Sequence, residues 1–263
     1  MTALSSASTA HEPPQTRDLV TGLERGLAVI GAFDQTRPRL TISEVAQFCG
    51  LSRAAARRYL LTLEHLGYLQ CERRMYALTP KVLRLAQGYR QSSTLPRVVE
   101  PELHKLANCM KEASSAGVLD GDDVICIAAC TAGRLVSMTL QPGTRVPAWC
   151  TANGRVLVAA LPPDEVGAWV ARQPLAPLTA QTLVEPARLV EAIDQVRRQG
   201  YAAVDQELEP GLRTLAVPLV GRQGQVRAAI NISVSADRFT MMQLVETCLP
   251  RLRLAQAHLS ALL

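Results

Sequence analysis

Four residues in the first third of the chain have the type and spacing to meet a polyanion: Arg53, Ala54, Arg57 and Arg58 fall along two turns of one predicted helix. An arginine fork can take guanine O6/N7 or phosphate oxygens two at a time, and alanine permits close approach and contact with thymine methyls. A solvated basic helix face is the alternative reading. Further on, Arg73 and Arg74 form the tip of a predicted hairpin, where they would lie along phosphates or enter a minor groove. Arg25, Thr41 and Ser52, at or near helix starts, complete the expected DNA-contacting set. Charge is segregated in the same sense. Residues 1–90 hold 12 Lys+Arg against 7 Asp+Glu, whereas residues 91–263 hold 16 of each. That is the pattern of a polyanion-binding module joined to a neutral one. Only three of the 28 basic residues are lysines, an excess that suits bidentate contacts and that genomic base composition also explains.

A second set could hold a small anion. Cys150-Thr151-Ala152-Asn153-Gly154 opens a predicted helix, and free N–H groups at a helix start suit a carboxylate; ordinary capping is the alternative. Arg134 and Arg145 are candidate charge partners, with Arg134 preferred because the strand expected after it should point into a sheet core. Asp205, Glu207 and Glu209 alternate on a predicted extended segment, so they are expected to share a face. There they could accept from a phenol hydroxyl or pair with Arg213. Catalytic patterns are not evident: the sequence has no HExxH, G-x-S-x-G, Walker loop or GxGxxG. The seven cysteines form no CxxC pair, Cys126 and Cys130 fall on strand-like sequence, and neither a metal nor a cofactor is expected. Cys150 is read as a packed or pocket-lining thiol.

The elements that must position these residues are legible in outline. Thr21-Gly22-Leu23-Glu24 and Thr41-Ile42-Ser43-Glu44 both fit the T-x-x-E capping box. The first predicted helix carries Leu23, Leu27, Ile30 and Phe33 on one face. A second runs from about Ser43 to Cys49 and ends at Gly50. A third, capped by Ser52, runs to about Leu66 with Ala56, Tyr59, Leu60, Leu63 and Leu66 as its apolar stripe. Helix, short glycine-containing turn, helix is the helix-turn-helix pattern. Residues 68–71 and 75–78 then predict the hairpin, a wing. Thr79-Pro80 restarts an amphipathic helix, a candidate linker and dimer contact.

Beyond it, residues 96–112 predict a helix, 115–119 and 124–129 strands around an Asp120-Gly121-Asp122-Asp123 turn, and 135–140 a third strand. Helices are expected over 150–161, 163–172 and 186–199, strands over 201–207, 212–220 and 226–235, and a closing helix from Met241, bent at Pro250. The fold class is therefore α+β: an N-terminal winged helix-turn-helix, a linker helix, and a mainly antiparallel sheet with helices around it. The expected divisions are a disordered arm at 1–17, a DNA-binding domain at 18–79, the linker at 80–95 and a second domain at 96–263. Hydrophobic residues make up 48% of the chain, which excludes wholesale disorder. Without a signal-like N-terminus or a long apolar run, a cytoplasmic protein is expected, with no membrane partner.

Several motifs in order resemble one family. Leu23-Glu24-Arg25-Gly26-Leu27-Ala28-Val29-Ile30 and Leu51-Ser52-Arg53-Ala54-Ala55-Ala56-Arg57-Arg58-Tyr59-Leu60-Leu61-Thr62-Leu63 look like the DNA-binding domain of IclR-type transcriptional regulators. The resemblance continues through Val118 to Val124, Pro147-Ala148 to Gly154-Arg155-Val156-Leu157, and Gln199-Gly200-Tyr201 to Arg213. It looks closest to the branch governing protocatechuate, para-hydroxybenzoate and β-ketoadipate catabolism. The resemblance implies a GAF/PAS-like effector-binding domain, with Thr151, Ala152, Asn153, Asp205 and Thr214 as pocket residues; Arg134 and Glu207 join them as effector-binding candidates on the chemistry given above. Thr214 stands where some members have cysteine.

It also implies a homodimer or dimer of dimers on double-stranded promoter DNA, answering to a small carboxylic acid, aromatic in this branch. RNA polymerase is a further candidate partner, and activation is the expected direction. The rivals are a repressor answering a keto or dicarboxylic acid, an enzyme with a DNA-binding appendage, and an architectural DNA binder that senses nothing.

Overall fold

The computed structural model describes residues 18–34, 36–131 and 140–263. The chain divides between Gly88 and Tyr89 into two units. The first holds α1 (Thr21–Gly31), α2 (Ile42–Phe48), α3 (Arg53–His65) and the hairpin β1 (Leu69–Glu72) and β2 (Met75–Leu78). A short 3-10 turn, Pro80–Val82, leads into α4 (Leu83–Ser92), the helix in which the division falls.

Two of the predicted caps are present. Thr41 and Glu44 form the reciprocal box at α2, and the Ser52 hydroxyl accepts from the Ala55 N–H at α3. Thr21 corrects the third: it is already helical, and Val20, with no side-chain oxygen to offer, precedes it. Val29, Leu40, Val45, Ala56, Leu60 and Leu69 make the centre of this unit's core, and a bridge from Leu40 to Tyr76 ties the segment before α2 to the wing. The predicted face of α1 is present, with Phe33 buried at its end and Leu23, Leu27 and Ile30 along one groove. Val29 is the buried residue of the helix, whereas Leu23 and Leu27 are 64% and 55% exposed and border an open groove with Tyr59 and Leu66.

The second unit is built on a six-stranded antiparallel sheet. Its strands are β3 (Ala113–Asp120), β4 (Asp123–Cys130), β5 (Arg145–Pro147), β6 (Ala202–Asp205), β7 (Leu212–Val220) and β8 (Val226–Ser235), in spatial order β5-β4-β3-β8-β7-β6. Gly121 takes φ +64 in the two-residue loop of the β3–β4 hairpin, a conformation glycine adopts without steric cost. β5 was not foreseen; the strand expected over 135–140 falls on residues outside those described, Leu140 excepted.

Side chains alternate between the two faces. Leu215, Val217, Ile230, Ile232 and Val234 meet α5 (Thr94–Met110) and α9 (Met241–Leu262), which is one helix with Pro250 inside it. On the opposite face Val204, Ala216 and Ala229 meet α6 (Ala152–Val158), α7 (Pro163–Ala171) and α8 (Pro186–Gln199). Because both faces are covered, polar strand residues here are buried as well: Ser115, Asn231 and, partly, Ser233 and Thr214 lie on the α6 side.

Candidate functional site

In the first unit α3 sorts its residues by face. Ala56, Leu60 and Leu63 turn inward, while Ser52, Arg53, Ala54, Arg57 and Arg58 are exposed. Arg25 on α1 and Arg73 and Arg74 at the wing tip are exposed too. Arg37 is held by Asp34 and Arg39 by Glu72, but Arg25, Arg53, Arg57, Arg58, Arg73 and Arg74 have no ion-pair partner among the described residues. Their charge is available to phosphate. Ser52 keeps its hydroxyl proton to donate after capping α3, whereas Thr41 both donates to and accepts from its own capping box. Arg73 and Arg74 take φ +50 and +66. Such left-handed backbone at two successive non-glycine residues is uncommon, and it gives the tight hairpin turn that projects both guanidinium groups from the wing.

In the second unit a cavity lies between α6 and the sheet. Thr151, Ala152 and Asn153 line it from the start of α6, Glu207 from beyond β6, and Thr214 from β7. Its volume is about 40 Å³. Gly154 sets the close approach of this wall: a Cβ there would overlap the backbone of Ala148. The Thr151 hydroxyl caps α6 by accepting from the Gly154 N–H and donates to the Pro147 carbonyl at 3.0 Å. Asn153 is buried, and its Oδ1 has no hydrogen-bond partner.

Behind the cavity wall the Arg155 guanidinium meets Glu207 Oε2 at 2.6 Å, and the same oxygen accepts from the Leu183 N–H at 3.1 Å. Both side chains are almost wholly buried, so the pair neutralises what would otherwise be two isolated buried charges. The floor is a polar row across three strands, hydrogen-bonded between β3 and β8. Ser115 Oγ donates to Asn231 Oδ1 at 2.7 Å, Asn231 Nδ2 donates to Ser233 Oγ at 3.4 Å, and Thr214 stands opposite Ser233 in register.

Several sequence expectations land elsewhere. Asp205 is not in the cavity. Strand β6 ends at it, Gln206 turns to φ +56, and the alternation that would have aligned Asp205 with Glu207 is broken. Asp205 instead accepts from Arg213 Nε at 2.7 Å, which holds its carboxyl below the ordinary range, while Arg213 also donates to the Ala236 carbonyl. Arg145 pairs with Asp120 and Asp123 on the surface. Arg134 lies outside the described residues.

Cys126 and Cys150 line the cavity, and burial pushes their thiols up to about 11 and about 12. Cys130 faces the other way, into the α5 side, so it and Cys126 cannot share a metal. Sequence reasoning missed Ser115, Cys126, Asn231 and Ser233 as cavity residues. For Asn231 and Ser233 the signal was polar residues at period two inside a strand otherwise apolar on both faces; Ser115 and Cys126 carried no such signal.

Comparison with known proteins agrees with this architecture. The IclR helix-turn-helix domain matches residues 22–72, and the C-terminal domain of bacterial IclR transcriptional regulators matches residues 87–261. The Pca regulon regulatory protein of Pseudomonas putida is 42% identical over 92% of this chain and 84% of its own length. The p-hydroxybenzoate hydroxylase transcriptional activator of Acinetobacter baylyi is 35% identical over 93% of this chain and 92% of its own. Among solved structures, a Rhodococcus transcriptional regulator is 41% identical, covering 92% of this chain and 98% of that one at a TM-score of 0.79. The inducer-binding domain of a PobR double mutant from Acinetobacter, solved with 3-hydroxybenzoic acid, is 28% identical. It aligns at a TM-score of 0.62 over 65% of this chain and all of that one. A winged helix with an unpaired arginine face, joined to a sheet domain with a polar cavity, has its relatives here: this chain belongs to the IclR family of DNA-binding transcriptional regulators.

Proposed function

We propose that the chain is a homo-oligomeric, one-component regulator whose winged helices bind promoter DNA and whose C-terminal cavity binds a small aromatic carboxylic acid. The observation that carries this is the polar-floored cavity under α6, in the same chain as the unpaired arginines of α3 and the wing. Named relatives regulate the Pca regulon and p-hydroxybenzoate hydroxylase, and the matched inducer-binding domain of PobR holds 3-hydroxybenzoic acid. Among the described lining residues the hydroxyls left to donate to a carboxylate are those of Thr214 and Ser233, with any contribution from Arg134 added to theirs.

A regulator rather than an enzyme fits the chemistry of the cavity. Its cysteine thiols are held protonated by burial, and no histidine lines it among the described residues. Oligomerisation fits the exposed apolar residues Leu23 and Leu27 on α1 and Leu83 and Leu85 on α4, which a second copy would cover. No described helix is long and apolar enough to cross a membrane, and a promoter-binding protein of this family acts in the cytoplasm, beside RNA polymerase. The activator named among the relatives supports activation as the direction of control. Acid binding biases one conformer over another and so alters DNA engagement. The division into a winged helix at 18–79, a linker at 80–95 and a sensor at 96–263 completes this account.

A thermal-shift titration of the full chain against aromatic, keto and dicarboxylic acids tests it. A ligand bound to the native state raises the unfolding midpoint by mass action. A hydroxybenzoate or dihydroxybenzoate is expected to raise it. A response confined to keto or dicarboxylic acids would move the chain to the rival effector class.

A further inference from the structure

The cavity contains one buried acceptor that the protein itself leaves unanswered. Asn153 is 5% exposed, it lines the cavity from the first turn of α6, and its Oδ1 has no partner. Nearly every other buried polar atom around it is satisfied: Ser115 and Asn231 bond each other, Thr151 caps α6, and Glu207 Oε2 takes both Arg155 and the Leu183 N–H. A buried acceptor without a donor is costly, and such atoms in native proteins call for an explanation. The unused hydroxyls, those of Thr214 and Ser233, lie on the sheet side of the cavity, whereas the Asn153 amide lies on the helix side. The free hydroxyls thus stand on one wall and the unanswered Asn153 Oδ1 on the other.

We infer that Asn153 is a specificity-determining residue that accepts a hydrogen bond from a hydroxyl on the effector. The ligand class is an aromatic acid with a ring hydroxyl, its carboxylate toward Thr214 and Ser233 and its hydroxyl toward Asn153 Oδ1. This rests on the acid-sensing account above and narrows it, because an acid without a hydroxyl donor leaves Oδ1 without a partner. A site built to hydrogen-bond a hydroxyl rejects the analogue lacking it more sharply than an apolar pocket rejects a missing methylene.

The test is isothermal titration of the full chain with 3- and 4-hydroxybenzoate, benzoate, 4-methoxybenzoate and phenol. The better hydroxybenzoate is expected to bind about 10- to 100-fold more tightly than benzoate or the methoxy acid, which has an acceptor but no donor. In Asn153→Leu, similar in size but without the oxygen, that gap is expected to close to within about 3-fold through weaker hydroxybenzoate binding alone. The ligand series in the unaltered protein tests the contact even if the variant fails to fold. Equal affinities in the unaltered protein, a preference for the methoxy acid, or a gap that survives Asn153→Leu would each overturn the inference. Phenol separates it from the account it rests on. Phenol bound in an Asn153-dependent way while every acid fails would uphold the hydroxyl contact and sink the acid; no binding by any of the five overturns both.

Discussion

Arg155 and Glu207, 52 residues apart in the chain, meet in a buried ion pair at 2.6 Å that joins the cavity helix α6 to the segment after β6. Removing one partner strands the other. Glu207→Ala is expected to destabilise the native state by about 3–5 kcal/mol, since it leaves an uncompensated buried guanidinium and frees the Leu183 N–H. Replacing both charges with apolar groups, as in Arg155→Met with Glu207→Leu, should recover most of that loss. Urea unfolding monitored by circular dichroism checks it; a single variant within about 1 kcal/mol of the unaltered chain would contradict the pair's burial.

Arg57 and Arg58 face outward from the second turn of α3 with no ion-pair partner among the described residues. If one reads a base, its alanine variant should lose about 1–3 kcal/mol on the operator and relax preference at one position. Equal losses on operator and random DNA would assign that arginine to a phosphate instead. Fluorescence anisotropy on the two DNAs distinguishes these outcomes.

The wing tip separates backbone from charge. Both Arg73 and Arg74 take the left-handed conformation that asparagine and glycine adopt more readily. Arg73→Asn with Arg74→Gly should therefore hold or slightly raise stability while weakening DNA binding. If both arginines contact phosphates, the slope of log K against log salt should fall in magnitude by about two. An unchanged slope would remove the wing from the DNA contact.

Acid sensitivity is predicted at Asp205. Arg213 lowers its native pKa, so its contribution is present above the unfolded value of about 3.9 and is lost as pH falls from there through the native value. The side chain is 38% exposed, which makes the effect modest. Urea midpoints measured from pH 5 to 2.5 should fall less steeply in Asp205→Asn than in the unaltered chain. Parallel acid limbs would show that the pair adds nothing.

How much of this the sequence carried depended on whether a residue's surroundings could be read from its neighbours. Helix α8 and strands β7 and β8 were legible because Pro186, Gly200, Gly211 and the 221–224 turn bracket them and their apolar periods are unbroken. The α3 face was legible for the same reason. Periodicity marks an apolar face but not what covers it: Leu23 and Leu27 share the predicted face yet lie exposed, while Val29 is buried. Likewise Asp205 and Glu207 were aligned by an alternation that Gln206 breaks. The three-residue β5 is too short to show a period. Ser115, Asn231 and Ser233 were passed over because a polar strand residue ordinarily faces water, whereas this sheet has helices on both faces.

The central claim is that one chain couples acid binding to promoter engagement. DNase I footprinting of the full chain on its operator, with and without saturating 4-hydroxybenzoate and 3,4-dihydroxybenzoate, tests it most directly. The account predicts a footprint at two half-sites whose extent or affinity changes with one of these acids and is unmoved by benzoate. A footprint identical under every acid would leave a DNA-binding protein that does not sense them and would contradict the account.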